Sequence, residues 1–457
     1  MDLIIKNGTV VTAKEMFKAD VGITNGKVSD IGSDLKDSKA EVADASGKLV
    51  LPGAIDAHTH LAMPFGGTIS ADGYGAGTRA AVCGGVTTVF DYPMQRKGHG
   101  IVETVSARRE MAEKEACCDF AFHCCITDLN GGSILDEFES AVDYGITSFK
   151  CFFVYKKENM MVDDGTFVRI LLKAKEVGAI TNLHAENPDL IDLRVSQYLK
   201  EGKTSAWYHY MSRPEFVAAE ADKRAVHWAV NSDAPLYIVH MSDKEGLEAA
   251  VKAKTEGAKI FIETCPQYLE FTCDVYKRPD GRNFICSPPM KGQESLDALW
   301  LAIKTGGIDT VATDHCPFQQ KEKDWGINDF TKVPNGCAGV ENLYPYMLGA
   351  ATDGKISYSR AVELCSTNPA RIFGCTDKGS LAVGKDADVV IYDPQKTFTI
   401  SVRNMHSDYD NTIWEGKTVH GYPVKTFVRG KLVYKDGEYV GTPGDGRFIK
   451  CAKASVN

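Results

Sequence analysis

The segment Leu51-Pro52-Gly53-Ala54-Ile55-Asp56-Ala57-His58-Thr59-His60 breaks the chain at a proline–glycine pair and then runs, largely apolar, into two histidines. Apolar rather than alternating, it has the pattern of a parallel strand covered on both faces. Seven more runs follow: Thr87–Tyr92, Ala121–Thr127, Ser148–Phe153, Ile180–Glu186, Leu236–Met241, Lys259–Cys265 and Thr310–His315. Amphipathic stretches, among them Ile101–Glu115, Asp164–Glu176, Arg213–Val230 and Lys244–Thr255, separate most of these runs and predict helices. Eight strand–helix units over about 320 residues predict an α/β fold of the (β/α)8, TIM-like barrel type.

The texture changes on either side of this region. Residues 1–50 hold short strand-like segments, Leu3–Lys6, Thr9–Thr12, Val21–Ile23 and Lys27–Ile31. Asn25-Gly26 between the last two is a hairpin signal, because both turn positions take positive φ. The barrel is expected over 51–375, its last short helix opening at Asn368-Pro369 and closing at Gly374. Strand-like segments return within 376–445, at Asp388–Tyr392, Thr426–Val428 and Leu432–Lys435. They are expected to join the N-terminal strands in one small β-sandwich domain formed by both chain termini. Residues 446–457 read as an exposed tail.

Composition narrows the function classes. With 44% hydrophobic and 25% charged residues, the chain is neither disordered nor collagenous nor a coiled coil. A formal charge of -9 without a basic block argues against a nucleic-acid partner. No apolar run reaches the length of a membrane span, and the opening Met-Asp-Leu-Ile-Ile-Lys lacks the pattern of a signal peptide. Fourteen cysteines in that setting are expected to be reduced thiols of a cytoplasmic protein.

Barrel active sites form at the C-terminal ends of the strands. There the first run ends in His58-Thr59-His60, the fourth holds Lys150, the fifth His184, the sixth His240 and the eighth Asp314-His315. His58 and His60, two apart on a strand, point the same way. Such a pair alone is a weak signal, and a lone histidine in an apolar run is ordinarily a core residue. Four histidines and an aspartate at one rim are costly to bury without a cation. Lys150 discriminates further. An ammonium group would repel a metal, but burial and neighbouring cations favour the neutral amine. A neutral amine can add carbon dioxide, and the resulting anionic carbamate has two oxygens able to bridge two metal ions. The plain alternative is a lysine that snorkels or pairs with a carboxylate.

Further segments carry a resemblance. These are Gly145-Ile146-Thr147-Ser148-Phe149-Lys150, Leu183-His184-Ala185-Glu186-Asn187, Tyr237-Ile238-Val239-His240 and Glu263-Thr264-Cys265-Pro266-Gln267-Tyr268. Beyond them come Ser287-Pro288-Pro289, Ala312-Thr313-Asp314-His315-Cys316, Pro334-Asn335-Gly336 and Gly384-Lys385-Asp386-Ala387-Asp388. With residues 52–60, they make the chain resemble the dihydropyrimidinase/hydantoinase family of the metal-dependent amidohydrolase superfamily over nearly its whole length.

The resemblance implies hydrolytic opening of a cyclic ureide, a dihydropyrimidine or 5-substituted hydantoin, to an N-carbamoyl amino acid. It implies two divalent metal ions, zinc first and manganese or cobalt also tolerated by nitrogen and oxygen ligands. His58, His60 and Asp314 would hold one, His184 and His240 the other, with N6-carboxylated Lys150 between them. Asp314 would also shuttle the proton, Tyr155 would stabilise the oxyanion, and Ser287 and Asn335 would read the ring through backbone groups. A homotetramer is implied as well.

Other readings stay open. A dihydroorotase would need a cation for a substrate carboxylate, and its His-x-His-x-Arg pattern meets Ala62 here, although Arg96 or Lys97 lies in the next loop. A mononuclear deaminase would place glutamate where Asn187 stands, with Glu186 one position short. An allantoinase would use the same metal set. A non-catalytic scaffold relative would have lost ligands that are all present here. The loop Leu61–Gly67 is apolar and uncharged, which predicts uncharged, apolar or aromatic ring substituents. Cys117-Cys118 and His123-Cys124-Cys125 mimic a zinc cluster, but strand neighbours face opposite ways, so these are expected to be core residues. Cys151 and Cys316 flank proposed site residues and raise the prospect of sensitivity to thiol oxidation.

Overall fold

Beyond Gly53 the chain enters eight parallel strands: Ala54–Thr59, Val86–Asp91, Asp119–Phe122 continuing at Cys124–Cys125, Ser148–Phe152, Ile180–His184, Leu236–Ile238, Ile260–Thr264 and Thr310–Val311. The computed structural model describes residues 1–454. Each barrel strand pairs in parallel with the next. The ring closes where the His60 N–H donates to the His315 carbonyl at 2.8 Å and the His315 N–H to that of His58 at 3.3 Å.

The helices follow the apolar spacing. Ile101–Glu115 and Lys244–Thr255 have the expected bounds, and the others run Asp164–Val177 and Glu215–Ser232. In Asp164–Val177, Phe167, Ile170, Leu171, Ala174 and Val177 form the buried stripe. The Asp163 carboxylate caps its start by accepting from the Thr166 N–H, and Gly178 ends it at φ 78°.

Two strands stop at least three residues before the ends of their apolar runs. The sixth stops at Ile238 and the eighth at Val311, although the runs extend to Met241 and His315. His240 and Asp314 take φ of 39° and 53°, which no ladder accommodates. The chain leaves extended conformation just where these side chains turn over the rim.

The two chain ends build one two-sheet domain. One sheet holds Leu3–Lys6, Asp20–Thr24, Lys27–Gly32 and Glu41–Asp44. In the other, Leu49–Pro52 pairs antiparallel with Val389–Tyr392, so the C-terminal half is zipped to the strand that feeds the barrel. Ile5, Val21 and Ile23 pack against Val389, Ile391 and Phe427 between the sheets. Asn25 and Gly26 both have positive φ in the expected hairpin turn. The long hairpin Val389–Thr399 with Thr418–Val428 exceeds the short strands expected there.

The tail requires a correction. Residues 446–454 do not stand free; they cross the floor of the barrel. The Phe120 N–H donates to the Arg447 carbonyl at 2.9 Å and the Ile449 N–H to that of Phe120 at 2.8 Å. The N–H groups of Cys451, Ala452 and Ala454 then donate to the carbonyls of Gly145, Gly374 and Gly178. The strand entrances leave these backbone groups unpaired, and the tail satisfies them. Phe448 stacks on Phe122 at 5.7 Å, giving the segment an apolar anchor. Residues 455–457 of the expected tail lie outside the described residues.

Candidate active site

At the top of the barrel, His58 is placed by a carboxylate two residues earlier. Asp56 Oδ1 accepts from the His58 N–H at 3.2 Å and from the Thr313 N–H at 3.0 Å, tying the first strand to the end of the eighth. Burial pushes the Asp56 carboxyl up to about 7, against its Thr313 hydrogen bonds. Asp314 is thereby held beside the histidine pair, its Oδ1 at 3.3 Å from His58 Nε2 and 3.0 Å from His60 Nε2. One ligand atom from each of these three residues lies within 4.8 Å of the others.

A second carboxylate sets the ring of His58. Glu263 Oε1 accepts from His58 Nδ1 at 2.7 Å and from the His240 N–H at 2.9 Å, while Oε2 accepts from the Tyr237 hydroxyl at 2.8 Å. With its proton on Nδ1, His58 turns the Nε2 lone pair toward the cavity, and that buried atom has no hydrogen-bond partner among the described residues. His184 is arranged alike: Nε2 faces Glu186 Oε2 at 2.9 Å and Nδ1 faces His240 Nε2 at 3.1 Å. Burial is the main cause that lowers the pKa of His58, His184 and His240, so these imidazoles are neutral; the His58 Nε2 lone pair is open to a cation, while His184 and His240 share theirs in their mutual contact. Burial also raises the Asp314 carboxyl, but His58 and His60 outweigh it and leave the net shift downward.

Lys150 is 1% exposed, with its Nζ 4.8 Å from the centroid of the Tyr92 ring and 5.3 Å from that of Phe152. Among the described residues no carboxylate lies within ion-pair distance of it, and burial brings its pKa down to about 8. The pairing alternative for this lysine is therefore not what the fold provides. Tyr155, at φ 65°, sits edge-on to His184 and Phe65, and burial raises its phenol, which stays protonated as a donor. Across the cavity Asn335 Nδ2 donates to Ser287 Oγ at 2.8 Å.

All nine residues singled out in the sequence, His58, His60, Lys150, Tyr155, His184, His240, Ser287, Asp314 and Asn335, line one pocket of about 460 Å³. The rest of its wall is largely apolar, including Met63 and Phe65 from the first loop with Met94, Phe152 and Met160. An outer chamber of about 1450 Å³ shares Phe65, Tyr155 and Asn335 with it. Arg96 and Lys97 are exposed and line neither cavity among the described residues. Cys316 lines the pocket and Cys151 is fully buried; burial raises both thiols well above their usual range, which removes the reactive thiolate. His123 is a satisfied core residue, with Nε2 donating to the Ala57 carbonyl and Nδ1 meeting Ser148.

Asp56, Glu186 and Glu263 support this site, and the sequence reading assigned them no role. One cue was available: each is a lone carboxylate in an otherwise apolar strand run, a placement that demands a buried partner. Glu186 meets His184 on its own run, but the Thr313 partner of Asp56 and the His58, Tyr237 and His240 partners of Glu263 lie on other strands and were invisible.

A model of the amidohydrolase family matches residues 49–433. The D-hydantoinase of Ralstonia pickettii is 41% identical, with 99% of each chain covered. The D-phenylhydantoinase of Escherichia coli is 39% identical over 98% of each. Among solved structures, the dihydropyrimidinase from Brevibacillus agri superposes with a TM-score of 0.97 at 41% identity, covering 100% of both chains. The chain belongs to the amidohydrolase family, in its dihydropyrimidinase/hydantoinase branch.

Proposed function

We propose that this protein hydrolyses the ring of a dihydropyrimidine or 5-substituted hydantoin, breaking the amide C–N bond to give an N-carbamoyl amino acid. One observation carries the reading: three neutral imidazoles, His60, Asp314 and an unpaired lysine amine converge on a single cavity whose outer wall is apolar. His58, His60 and Asp314 would hold one divalent cation and His184 and His240 a second. The unpartnered His58 Nε2 and the all-nitrogen-and-oxygen donor set fit zinc, with manganese or cobalt as substitutes. When bound, the metal pair lowers the pKa of water and polarises the scissile carbonyl. The Lys150 amine, whose pKa is brought down to about 8, would in its neutral form add carbon dioxide, forming an N–C bond and releasing a proton, and the resulting carbamate would give the site a further anionic oxygen donor.

The remaining steps belong to the chain. Asp314 Oδ takes the proton from the attacking water and returns it to the departing ring nitrogen. The Tyr155 hydroxyl donates to the carbonyl oxygen as charge grows on it. Backbone groups of Ser287 and Asn335 meet the alternating N–H and C=O edge of the ring, and Met63 and Phe65 receive its substituent. Arg108, behind the first loop, is engaged by Asp91 at 2.9 Å and by the Ala62 carbonyl. Arg96 and Lys97 are exposed and, among the described residues, no guanidinium lines the inner pocket, Arg213 lying in the outer chamber, an arrangement that disfavours a dihydroorotase. The unpaired thiols fit a reducing cytoplasm, and a homotetramer is the expected assembly, measurable by light scattering.

Turnover of dihydrouracil, hydantoin, 5-phenylhydantoin and dihydroorotate by metal-replete enzyme tests the proposal. The first three are expected to yield N-carbamoyl products. Activity confined to dihydroorotate, or absent on all four, would overturn it.

A further inference from the structure

Lys323 ends the short helix Gln320–Lys323, whose Gln-Lys-Glu-Lys composition belongs on a solvated surface, yet it is 1% exposed. An ammonium group has three N–H donors. Here all three have backbone partners: the carbonyls of Ile285 at 3.1 Å, Pro334 at 3.0 Å and Gly336 at 2.6 Å. The other ionisable groups facing it are the thiols of Cys286, Cys316 and Cys337. A buried cation is thus matched by three carbonyl dipoles and no carboxylate among the described residues.

The positions of these carbonyls give the lysine its meaning. Pro334 and Gly336 flank Asn335, and Ile285 stands two residues before Ser287. The same two segments are joined by the Gly336 N–H donating to the Ile285 carbonyl at 3.0 Å and by the Asn335–Ser287 side-chain bond. The second segment also rests on the end of the eighth strand. The Cys316 N–H donates to the Cys337 carbonyl at 3.0 Å, and a Cβ on Gly336, at φ 150°, would come within 2.2 Å of the Cys316 carbonyl oxygen. Lys323 is the charged group that binds both halves of this wall from behind.

We propose that Lys323 is a positioning residue for substrate recognition, its ammonium fixing the Ser287 and Asn335 segments at the separation at which they read the ring. The inference deepens the cyclic-ureide reading and rests on it. Without the ammonium, three buried carbonyls lose a partner and the two segments move to find others, which changes ring binding and leaves the metal ligands in place.

The test compares wild-type holoenzyme with Lys323→Met and with Lys323→Gln, which keeps two N–H donors without the charge. Metal content is measured by mass spectrometry, steady-state kinetics with hydantoin and dihydrouracil, and amide hydrogen exchange in peptides spanning 283–290 and 333–338. The expected result is a KM raised about tenfold or more in Lys323→Met and less in Lys323→Gln, with kcat within about threefold of wild type. Metal content should be unchanged and faster exchange confined to the two segments. Unchanged KM and exchange in both variants would overturn the proposal. So would loss of metal, or exchange rising throughout the barrel, either of which marks a merely structural lysine. If Lys323→Met does not fold, Lys323→Gln decides on the same readouts. A wild type that opens no cyclic ureide defeats the substrate reading, and exchange confined to the two segments, or its absence, then decides the role of Lys323 separately.

Discussion

The floor and the top of the barrel both bury ionisable groups, and they resolve the cost in opposite ways. On the floor, Lys378 meets Asp119, Asp386 at 2.9 Å and Asp388 at 2.7 Å. Asp119 also takes Arg429 and the Arg447 N–H, the latter at 2.9 Å. Barrel, sandwich and tail are tied in one knot whose charges answer one another. At the top, among the described residues, His58 Nε2 and His60 Nδ1 have no hydrogen-bond partner and Lys150 has no carboxylate, and His240 and Asp314 are held at positive φ. Burial is therefore a poor marker of function by itself. Unsatisfied valence at a cavity marks the working end and closed valence the structural one, whereas positive φ does not separate them, since Arg429 on the floor is also at φ 47°.

That contrast breaks most visibly at Asp314. Asp314→Asn should lower kcat by about a thousandfold or more while circular dichroism and melting temperature stay near wild type. Lys378→Met should do the reverse. Leaving several buried carboxylates without their cation should cost about 3–5 kcal/mol in denaturant unfolding, with kcat per folded molecule unchanged. Loss of turnover in that variant would mean that floor and top are coupled.

Glu263→Gln sharpens the comparison from inside the site. It weakens the acceptor behind His58, and the metal dissociation constant should rise about 10–100-fold, read by titration of the metal-free protein. Unchanged affinity would show that Glu263 only fills space. The smallest effect is expected from pH. The Lys378 pKa is raised in the fold, carboxylate attraction outweighing burial, so its contribution is complete below 10.5 and lost only as pH climbs through the raised value. The Asp386 pKa is lowered, its lysine partners outweighing burial, so its contribution is complete above 3.8 and lost as pH falls through the lowered value. The melting-temperature gap between wild type and Lys378→Met should thus be flat from about pH 5 to about pH 9 and shrink in acid. A gap that changes near neutrality would assign the stability to other groups.

Much of this molecule was legible in the order of its residues, for local reasons. Burial on both faces writes a continuous apolar run, so the eight barrel strands could be counted. Side chains two apart on a strand share a direction, so His58 and His60 could be paired; His184, His240 and Asp314 fell near the ends of such runs and Lys150 inside one. Asn25-Gly26 declared its own turn. The long hairpin from Val389 to Val428 was harder, because its outer half alternates weakly and is partly exposed.

Closure of the barrel decided the rest. Glu263 stands behind His58 across 205 positions of sequence, and Asp56 grips Thr313 across 257. Lys323 looks like a surface residue until three carbonyls from two remote segments surround it, and the tail looks free until the strand entrances offer it partners. None of these pairings leaves a periodic trace, because each joins residues that become neighbours only after the ring has formed. Residue type and spacing named the groups able to bind and react; folding chose which of them would be left with a valence to spare.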